Sequence, residues 1–494
     1  MKRIFIGLLL AGTLLGCTKD MTDSDRFGGS DYQGNDVDLR IKDFIWKGLN
    51  SWYLWQGDVD DLDDHRFGKT PSVTGNAQYK AFLDRHSDKE AFFYGLLNNY
   101  PTTDRFSFIT DNYSELEDTF KGISMSAGMD FALGVIPNND RVFGLVRYVV
   151  PNSGAATANI KRGTVFTRVN GTALTKSNYT RLLQNNNTSM TLGLAKIEGT
   201  RGKYSLVETE ETVTLTRSRF VENPILIHKV IEQGGKKIGY LMYNAFVSDF
   251  DVQLNNVFGE FKSQGIDELV LDLRYNGGGS VSSAIYLSSM ITGQFNGQVF
   301  SKEQWNKKLQ PIVEQQGSSI NYFTNEIKGE GSRKIATINS LNLKRVYILT
   351  TKSTASASEL VINSLKAYIN VVQIGTITTG KDKASITIYD YTDANNKVKN
   401  PAHKWAMQLL VLKMVNAKDE GNYTNGLTPT IPLEEDVKNM GTLGDTNEPL
   451  LARALQSITG TTRRTTRSVV EPALPLQEIS HSKAGLLGYN EMYK

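Results

Sequence analysis

The chain contains very little cysteine, with one residue in 494. It cannot form an intramolecular disulfide, so packing and hydrogen bonds must hold the fold together. It also lacks a strong charge imbalance: the formal net charge is +3, which does not suggest a nucleic-acid partner. Hydrophobic residues make up 39% and charged residues 22%, which is typical of a globular protein and excludes a polytopic membrane protein. The length predicts about two to four domains.

The N-terminus carries a pattern typical of exported proteins. Lys2 and Arg3 precede an apolar run at residues 4–11 that is too short to span a membrane as a mature helix. The run leads to Leu-Leu-Gly-Cys, ending at Cys17. This arrangement resembles a bacterial lipoprotein signal with its lipobox, which implies a signal peptide over 1–17 and an exported lipoprotein anchored in the cell envelope by lipidated Cys17. Thr18 is compatible with the outer membrane, and the Asp/Ser/Gly-rich residues 18–35 are predicted to form a flexible tether.

Residues 36–115 are predicted to form an N-terminal helical domain. Apolar and aromatic residues recur at helical spacing, and such a face is usually core. An acidic loop at 58–64 is an alternative calcium site, but it lacks regular ligand spacing and a turn glycine.

Residues 116–220 have short predicted strands and glycine turns. The Pro-x-Ser-Gly-Ala-Ala run from Pro151 and the strand that ends in Asn170-Gly171 resemble a PDZ domain of the bacterial protease type. A PDZ groove binds an extended peptide as an added strand and captures its terminal carboxylate on backbone amides. The resemblance implies a PDZ-like β-rich domain whose carboxylate loop is formed by Lys121, Gly122, Ile123 and Ser124. The alternative is a PDZ-like spacer without a ligand.

Residues 221–456 show the strand and helix alternation of an α/β core. Residues 346–349 predict a buried strand, and apolar residues at helical spacing follow it. Ser356 and Ala357 should therefore lie at a strand-to-helix junction, where backbone amides lack intrahelical partners. A serine there either caps the helix or acts as a nucleophile. Another strand, 269–274, runs into the glycine loop 277–279, which lacks the Lys-Ser/Thr ending of a nucleotide-binding loop.

Two motifs in this segment resemble those of the C-terminal processing (tail-specific) serine peptidases. They are Asp-Leu-Arg-x-Asn-x-Gly-Gly, which ends at Gly279, and Ser-Ala-Ser-Glu, which begins at Ser356. The resemblance implies a multidomain α/β protein with a ClpP/crotonase-like serine protease core. It also implies that Ser356 is the nucleophile and that Lys381, twenty-five residues on, is its base. We expect the oxyanion to bind the amides of Ala357 and of Gly278 or Gly279. No cofactor and no metal are implied.

A lysine accepts a proton only when it is neutral, so the base depends on which lysine is buried. Lys383 would share a strand face with Lys381 and is a competing base. Ser385 stands where the family often has a glutamine that orients the lysine, and Glu359 is a second candidate for a supporting role. A histidine-based triad is a further alternative, although no histidine lies in a catalytic motif. The five histidines are His65, His86, His228, His403 and His481.

Residues 457–494 begin with a basic, threonine-rich run at 461–467 and are predicted to form a flexible tail, with membrane contact as an alternative. The favoured function is a lipid-anchored serine endopeptidase of the cell envelope that recognises free C-termini of protein substrates through a PDZ domain. The alternative is a catalytically inactive peptide-binding lipoprotein with the same fold.

Overall fold

A computed structural model describes residues 36–68, 71–135, 139–185, 187–200, 203–393, 395–460 and 477–494. Cys17, the predicted signal peptide, the predicted tether and the basic run 461–467 lie outside these residues. The mixed α/β content and the N-terminal helical region are both present, as predicted.

The N-terminal region is mainly helical. Its first helix begins after Asp36, whose side chain accepts a hydrogen bond from the Leu39 amide at 3.0 Å and caps the helix. The helix packs its apolar face on a long strand near the other end of the chain, β21 (Ala406–Asn416), and β1 (Phe108–Thr110) pairs antiparallel with the same strand. The elements are α1 Val37–Trp52, α2 Asp64–Phe67, α3 Ala77–Leu83, α4 Lys89–Gly95, β1 Phe108–Thr110 and α5 Tyr113–Phe120, with short 3₁₀ turns at Gln56–Asp58 and Asp60–Leu62.

The region predicted as an N-terminal domain over 36–115 shares its core with the rest of the protein. Its apolar residues, such as Trp46 and Leu49, belong to the same hydrophobic cluster as strands and helices of the peptidase core. The helices of this region are too few to bury their aromatic faces among themselves, so they bury them on the neighbouring sheet.

A β-rich unit spans 123–221 and has its own hydrophobic core around Phe131, Phe166 and Leu192. Its main sheet has the order β23-β3-β4-β5-β7-β8, with β6 on β5, and β2 pairs with β9. The elements are β2 Ile123–Ser126, β3 Met129–Val135, β4 Val142–Val149, α6 Gly154–Thr157, β5 Val165–Val169, β6 Thr172–Ala173, α7 Tyr179–Leu183, β7 Ser189–Thr200, β8 Lys203–Thr216 and β9 Ser218–Val221.

The core holds a six-stranded sheet of order β10-β11-β12-β18-β19-β22, which we call the parallel sheet because all pairings from β11 to β22 are parallel. Helices α8, α9 and α11 cover one face and α12 covers the other, as buried parallel strands require. The elements are β10 Ile225–Gln233, β11 Lys236–Tyr243, α8 Asp251–Gln264, β12 Glu268–Asp272, α9 Val281–Thr292, β18 Arg345–Thr350, α11 Ala357–Lys366, β19 Asn370–Gly375, β22 Ile431–Pro432 and α12 Pro449–Thr459, with a 3₁₀ turn at Ser248–Phe250.

A second core sheet, the mixed sheet, has the order β13-β24-β20-β21-β14-β15 with β1 on β21. A small hairpin, β16 with β17, lies apart from it. The elements are β13 Gly279–Ser280, β14 Val299–Trp305, α10 Gln310–Gln315, β15 Ile320–Tyr322, β16 Glu326–Lys328, a 3₁₀ turn at Glu330–Ser332, β17 Lys334–Thr337, β20 Lys383–Tyr389, β21 Ala406–Asn416 and β24 Met492–Tyr493.

The prediction of a flexible tail over 457–494 is wrong for the described part of it. Helix α12 continues to Thr459, and residues 477–494 pack on the molecule. Strand β23, Glu478–His481, adds an edge to β3, and β24 lies between β13 and β20. The reason is that the backbone of these residues pairs with the open edges of β3 and β20.

Candidate active site

Ser356 lies at the junction predicted for it, between the end of β18 and the first turn of α11. Its backbone has φ 63° and ψ −117°, a conformation that non-glycine residues rarely adopt and that is often found at functional sites. The side chain is fully buried, and its Oγ has no hydrogen-bond partner among the described residues. Ser356 and Glu359 stand in a capping-box arrangement at the start of α11, but the absence of a hydrogen bond to the Oγ among the described residues leaves the hydroxyl available for chemistry.

Glu359 joins the serine to the lysine. One carboxylate oxygen, Oε2, accepts hydrogen bonds from the amides of Ser356 and Lys381, each at 2.8 Å. The two amide nitrogens therefore lie no further apart than twice that distance. The other oxygen accepts from the Gly380 amide at 2.7 Å and from the Thr378 hydroxyl. Burial raises the pKa of Glu359, and these hydrogen bonds act in the opposite direction. Because it fixes both backbones, Glu359 is a positioning residue.

The Lys381 amine is buried and lies 2.6 Å from Oε1 of Glu491, and 4.7 Å from the ring centre of Phe106. Burial lowers the pKa of Lys381, and the Glu491 carboxylate opposes that shift. The Lys381 loop is also held from the N-terminal region, because the Arg105 guanidinium donates to the Gly380 carbonyl at 2.7 Å. A buried lysine with a lowered pKa is the form that a general base requires.

Lys383 occupies a different environment. Its amine pairs with Asp382 at 2.6 Å and lies 5.7 Å from the ring centre of Trp55. The expectation that Lys381 and Lys383 share a strand face is wrong, because β20 begins only at Lys383 and Lys381 precedes the strand. Of the two lysines, Lys381 is the one that is wholly buried and whose amide is held by Glu359.

The glycine loop packs directly against the serine. A Cβ at position 278 would lie 2.6 Å from the Ser356 Cβ and 3.1 Å from the Ala357 nitrogen, so only glycine fits there. The Gly278 amide, however, donates to the Asn276 side chain at 2.9 Å, and the Gly279 amide donates to the Glu491 carbonyl at 2.7 Å. Ala357 is the first residue of α11, so its amide has no intrahelical acceptor. The oxyanion role of these three amides stays a prediction.

Ser385 does not contact Lys381 directly. Its hydroxyl lies within hydrogen-bond distance of the Glu491 carboxylate and of the Met492 carbonyl, and it accepts from the Gln408 side chain at 2.8 Å. Ser385 therefore acts on the acid that pairs with the lysine, and not on the lysine itself.

The predicted carboxylate loop borders the same site. Gly122, Ile123 and Ser124 line a cavity of about 80 Å³ together with the glycine loop 277–279, whereas Lys121 is exposed and does not line it. Asn244 also lines this cavity, and both polar atoms of its buried side chain lack a hydrogen-bond partner among the described residues. The structure thus brings the β-rich unit and the glycine loop to one cavity.

Sequence reasoning missed four residues around the lysine. Arg105 and Phe106 lie just before β1, and Gln408 lies on β21, beside β20. Glu491 is a lone acid in an apolar stretch at the chain end, and that isolation was the only signal for it.

No histidine forms a triad with the serine, because among the described residues nothing hydrogen-bonds its Oγ. His403 instead contacts Asp390 at 3.0 Å, and His228 contacts Glu260 at 3.3 Å. Within the same residues no group of three or more His, Cys, Asp or Glu side chains could hold a metal ion, including the acidic loop 58–64. No helix of this part of the chain is long and apolar enough to cross a membrane.

Comparison with known families assigns the chain. Residues 237–433 match the sequence profile of peptidase family S41, and residues 40–108 match that of the S41 N-terminal domain, together more than half of the chain. The chain belongs to peptidase family S41. Members of this family are serine peptidases, so the chain is assigned to the hydrolases of peptide bonds.

The S41 chain is also similar to curated relatives. A carboxyl-terminal-processing protease of Picosynechococcus is 22% identical over 356 residues, covering 67% of this chain and 72% of the relative. A carboxy-terminal processing protease of Bacillus subtilis is 24% identical over 41% of this chain and 36% of its own length. A crystal structure of a Bacteroides fragilis protein assigned to the S41 proteases is 28% identical, with a TM-score of 0.62, and covers 85% of this chain and 97% of its own.

Proposed function

We propose that this S41 chain is a C-terminal processing serine endopeptidase that uses Ser356 as nucleophile and Lys381 as base. The observation that carries the proposal is the carboxylate of Glu359, which holds the amides of both residues on one oxygen at 2.8 Å. The family assignment and the names of the curated relatives support the reaction class. The alternative of a non-catalytic peptide-binding lipoprotein is not favoured by any of these observations.

In the proposed mechanism, neutral Lys381 accepts the proton of the Ser356 hydroxyl as its oxygen attacks the carbonyl carbon of the scissile bond. The negative charge that develops on the carbonyl oxygen is stabilised by backbone amides at the start of α11 and in the glycine loop. The protonated lysine then donates to the leaving amine, and an acyl-enzyme remains. Water attacks the ester with the lysine again as base, which releases the new C-terminus and regenerates the serine.

Substrate delivery is the second part of the proposal. The β-rich unit would bind the free C-terminus of a protein as an added strand, with Gly122, Ile123 and Ser124 near its carboxylate. The position of these residues on a cavity shared with the glycine loop supports this role.

Lipidation of Cys17 would hold the enzyme in the cell envelope, at the outer membrane. The unaltered protein should be labelled by a lipid precursor, and a Cys17→Ser variant should not be. Labelling that persists in the variant would contradict the lipid anchor.

The test uses a fluorophosphonate probe and an unfolded peptide offered with either a free or an amidated C-terminus. Ser356→Ala should abolish labelling, and Lys381→Ala should lower kcat/KM by about 10²–10⁴-fold, the usual contribution of a general base. Lys383→Ala is the matched control, because it removes the neighbouring lysine, and it should retain activity. The amidated peptide should have the higher KM. Full activity of Lys381→Ala would refute the dyad, and inertness of the unaltered chain would favour the binding protein.

A further inference from the structure

The C-terminal segment, residues 477–494, connects the β-rich unit to the catalytic cleft. At one end, β23 pairs antiparallel with β3 and extends the sheet of the β-rich unit. At the other end, β24 pairs in parallel with β13, in the glycine loop, and with Ser385 on β20. An extended peptide that adds to a sheet edge is the usual way a strand-binding groove takes its ligand.

Within the cleft the segment uses the groups that the proposed mechanism needs. The Glu491 carbonyl accepts from the Gly279 amide at 2.7 Å, in the loop expected to face the oxyanion. The Glu491 side chain lies 2.6 Å from the Lys381 amine, and both groups are buried. Tyr489 lies over Gly277: a Cβ added at position 277 would be 2.6 Å from the Tyr489 carbonyl oxygen. A substrate strand could not lie on this loop while the segment is there.

The charge of the contact also opposes catalysis. A carboxylate next to an amine stabilises the protonated form, and a protonated lysine cannot accept the proton of a serine. Burial favours the neutral amine, and Glu491 acts against it. The segment therefore blocks the cleft by its backbone and the base by its side chain.

Most of the segment is held by polar contacts and by strand pairing, and little of it by apolar packing. Lys483 pairs with Glu222 at 3.0 Å, and the Ser482 hydroxyl donates to Asp130 at 3.1 Å. Met492 is the one wholly buried apolar side chain in 477–494. A competing peptide strand can offer the same kinds of hydrogen bond in exchange, so it could displace the segment at a small net change in free energy.

Resting on the proposed function, we propose that residues 477–494 are a built-in inhibitor of this peptidase, occupying the catalytic cleft in competition with substrate and engaging the base through Glu491. An extended peptide with a free C-terminus would displace the segment from the cleft, and the same step would remove Glu491 from the Lys381 amine.

The experiment releases the segment after folding is complete. A recognition sequence for a site-specific protease is inserted within residues 461–476, and activity is measured before and after cutting and dialysis. If the segment occupies the cleft nine-tenths of the time, kcat/KM should rise about tenfold on release. The synthetic peptide 477–494 should then inhibit the cut enzyme by raising KM, whereas the Glu491→Gln peptide and a scrambled peptide should inhibit less.

A full-length Glu491→Gln variant keeps the chain intact and should show raised kcat/KM, with Glu232→Gln, the same change at an exposed position, as its control. Activity that does not change when the segment is released would overturn the proposal that it is an inhibitor. Activity that falls on release and returns when the peptide is added would overturn it too. Failure of the proposed function looks different, because no form would then react with fluorophosphonate. Binding of the labelled peptide to cut Ser356→Ala protein would still decide whether the segment occupies the cleft.

Discussion

The two ends of the described chain contact the peptidase core in different ways. The N-terminal region joins it through apolar side chains: Trp46 is buried among Phe67 and Tyr79 and belongs to the main hydrophobic cluster. The C-terminal segment joins it mainly through backbone pairing, ion pairs and hydrogen bonds, with Met492 as its wholly buried apolar side chain. Apolar burial dominates folding energy, whereas a hydrogen bond replaces one made with water and adds less net free energy. The first end should therefore be a permanent part of the fold and the second exchangeable.

Both ends nevertheless reach the same amine. Phe106 from the N-terminal region lies 4.7 Å below the Lys381 ammonium, and Glu491 from the C-terminal segment lies 2.6 Å away. The aromatic ring helps to exclude water from the lysine, and the carboxylate supplies charge. The N-terminal region, a permanent part of the fold, thus sets the environment of the Lys381 amine, and the exchangeable C-terminal segment can keep that amine protonated.

The largest effect is expected at the N-terminal end. Trp46→Ala removes a buried side chain from the shared cluster and should lower the free energy of unfolding by about 3–5 kcal/mol, measured by urea denaturation. Val37→Ala, at a 40% exposed position of the same helix, is the matched control and should change it little. A loss below about 1 kcal/mol for Trp46→Ala would mean that this region is not fused to the core.

The next effect concerns the pH dependence of activity. The groups that face Lys381 are Glu491, Asp104, Glu359 and the Phe106 ring, and the carboxylates raise its pKa against the lowering by burial. Glu491→Gln removes the strongest of the opposing charges, so the pKa of Lys381 should fall and the neutral amine should persist to lower pH. The rising limb of kcat/KM against pH should therefore move to lower pH. A rising limb that stays at the same pH, or moves to higher pH, would show that Glu491 does not raise the pKa of Lys381.

The smallest effect compares two wholly buried methionines. Met407→Ala on β21, beneath α1, should cost about 2–5 kcal/mol, as core truncations do. Met492→Ala should cost less than about 1 kcal/mol, because an exchangeable segment opens before the whole chain unfolds. Equal losses for the two variants, measured in the same denaturant, would show that the C-terminal segment is as permanent as the N-terminal region.

Motifs next to regular elements were the most predictable part of the site. The apolar strand before Ser356 and the periodic helix after it predicted the junction that the structure has. The glycine loop was likewise predicted to follow a buried strand, and it does. Local patterns suffice for such features because each depends on a few neighbouring residues.

Contacts between distant parts of the chain were not predictable. Strand alternation failed for Lys381 and Lys383 because nothing local indicated that β20 begins between them. The bond from Arg105 to the Gly380 carbonyl spans 275 positions, and no periodicity reports such a pairing.

The amino-acid sequence by itself determined the strands and helices of the core, the place of Ser356 at a helix start and the spacing to Lys381. Only the tertiary structure decided that Glu359 holds both backbones and that the chain's last residues lie on the glycine loop. The physical reason is that a helix start is a property of neighbours in sequence. Pairing of a lone acid with a buried amine instead depends on which sheet edges remain open after the rest of the chain has packed.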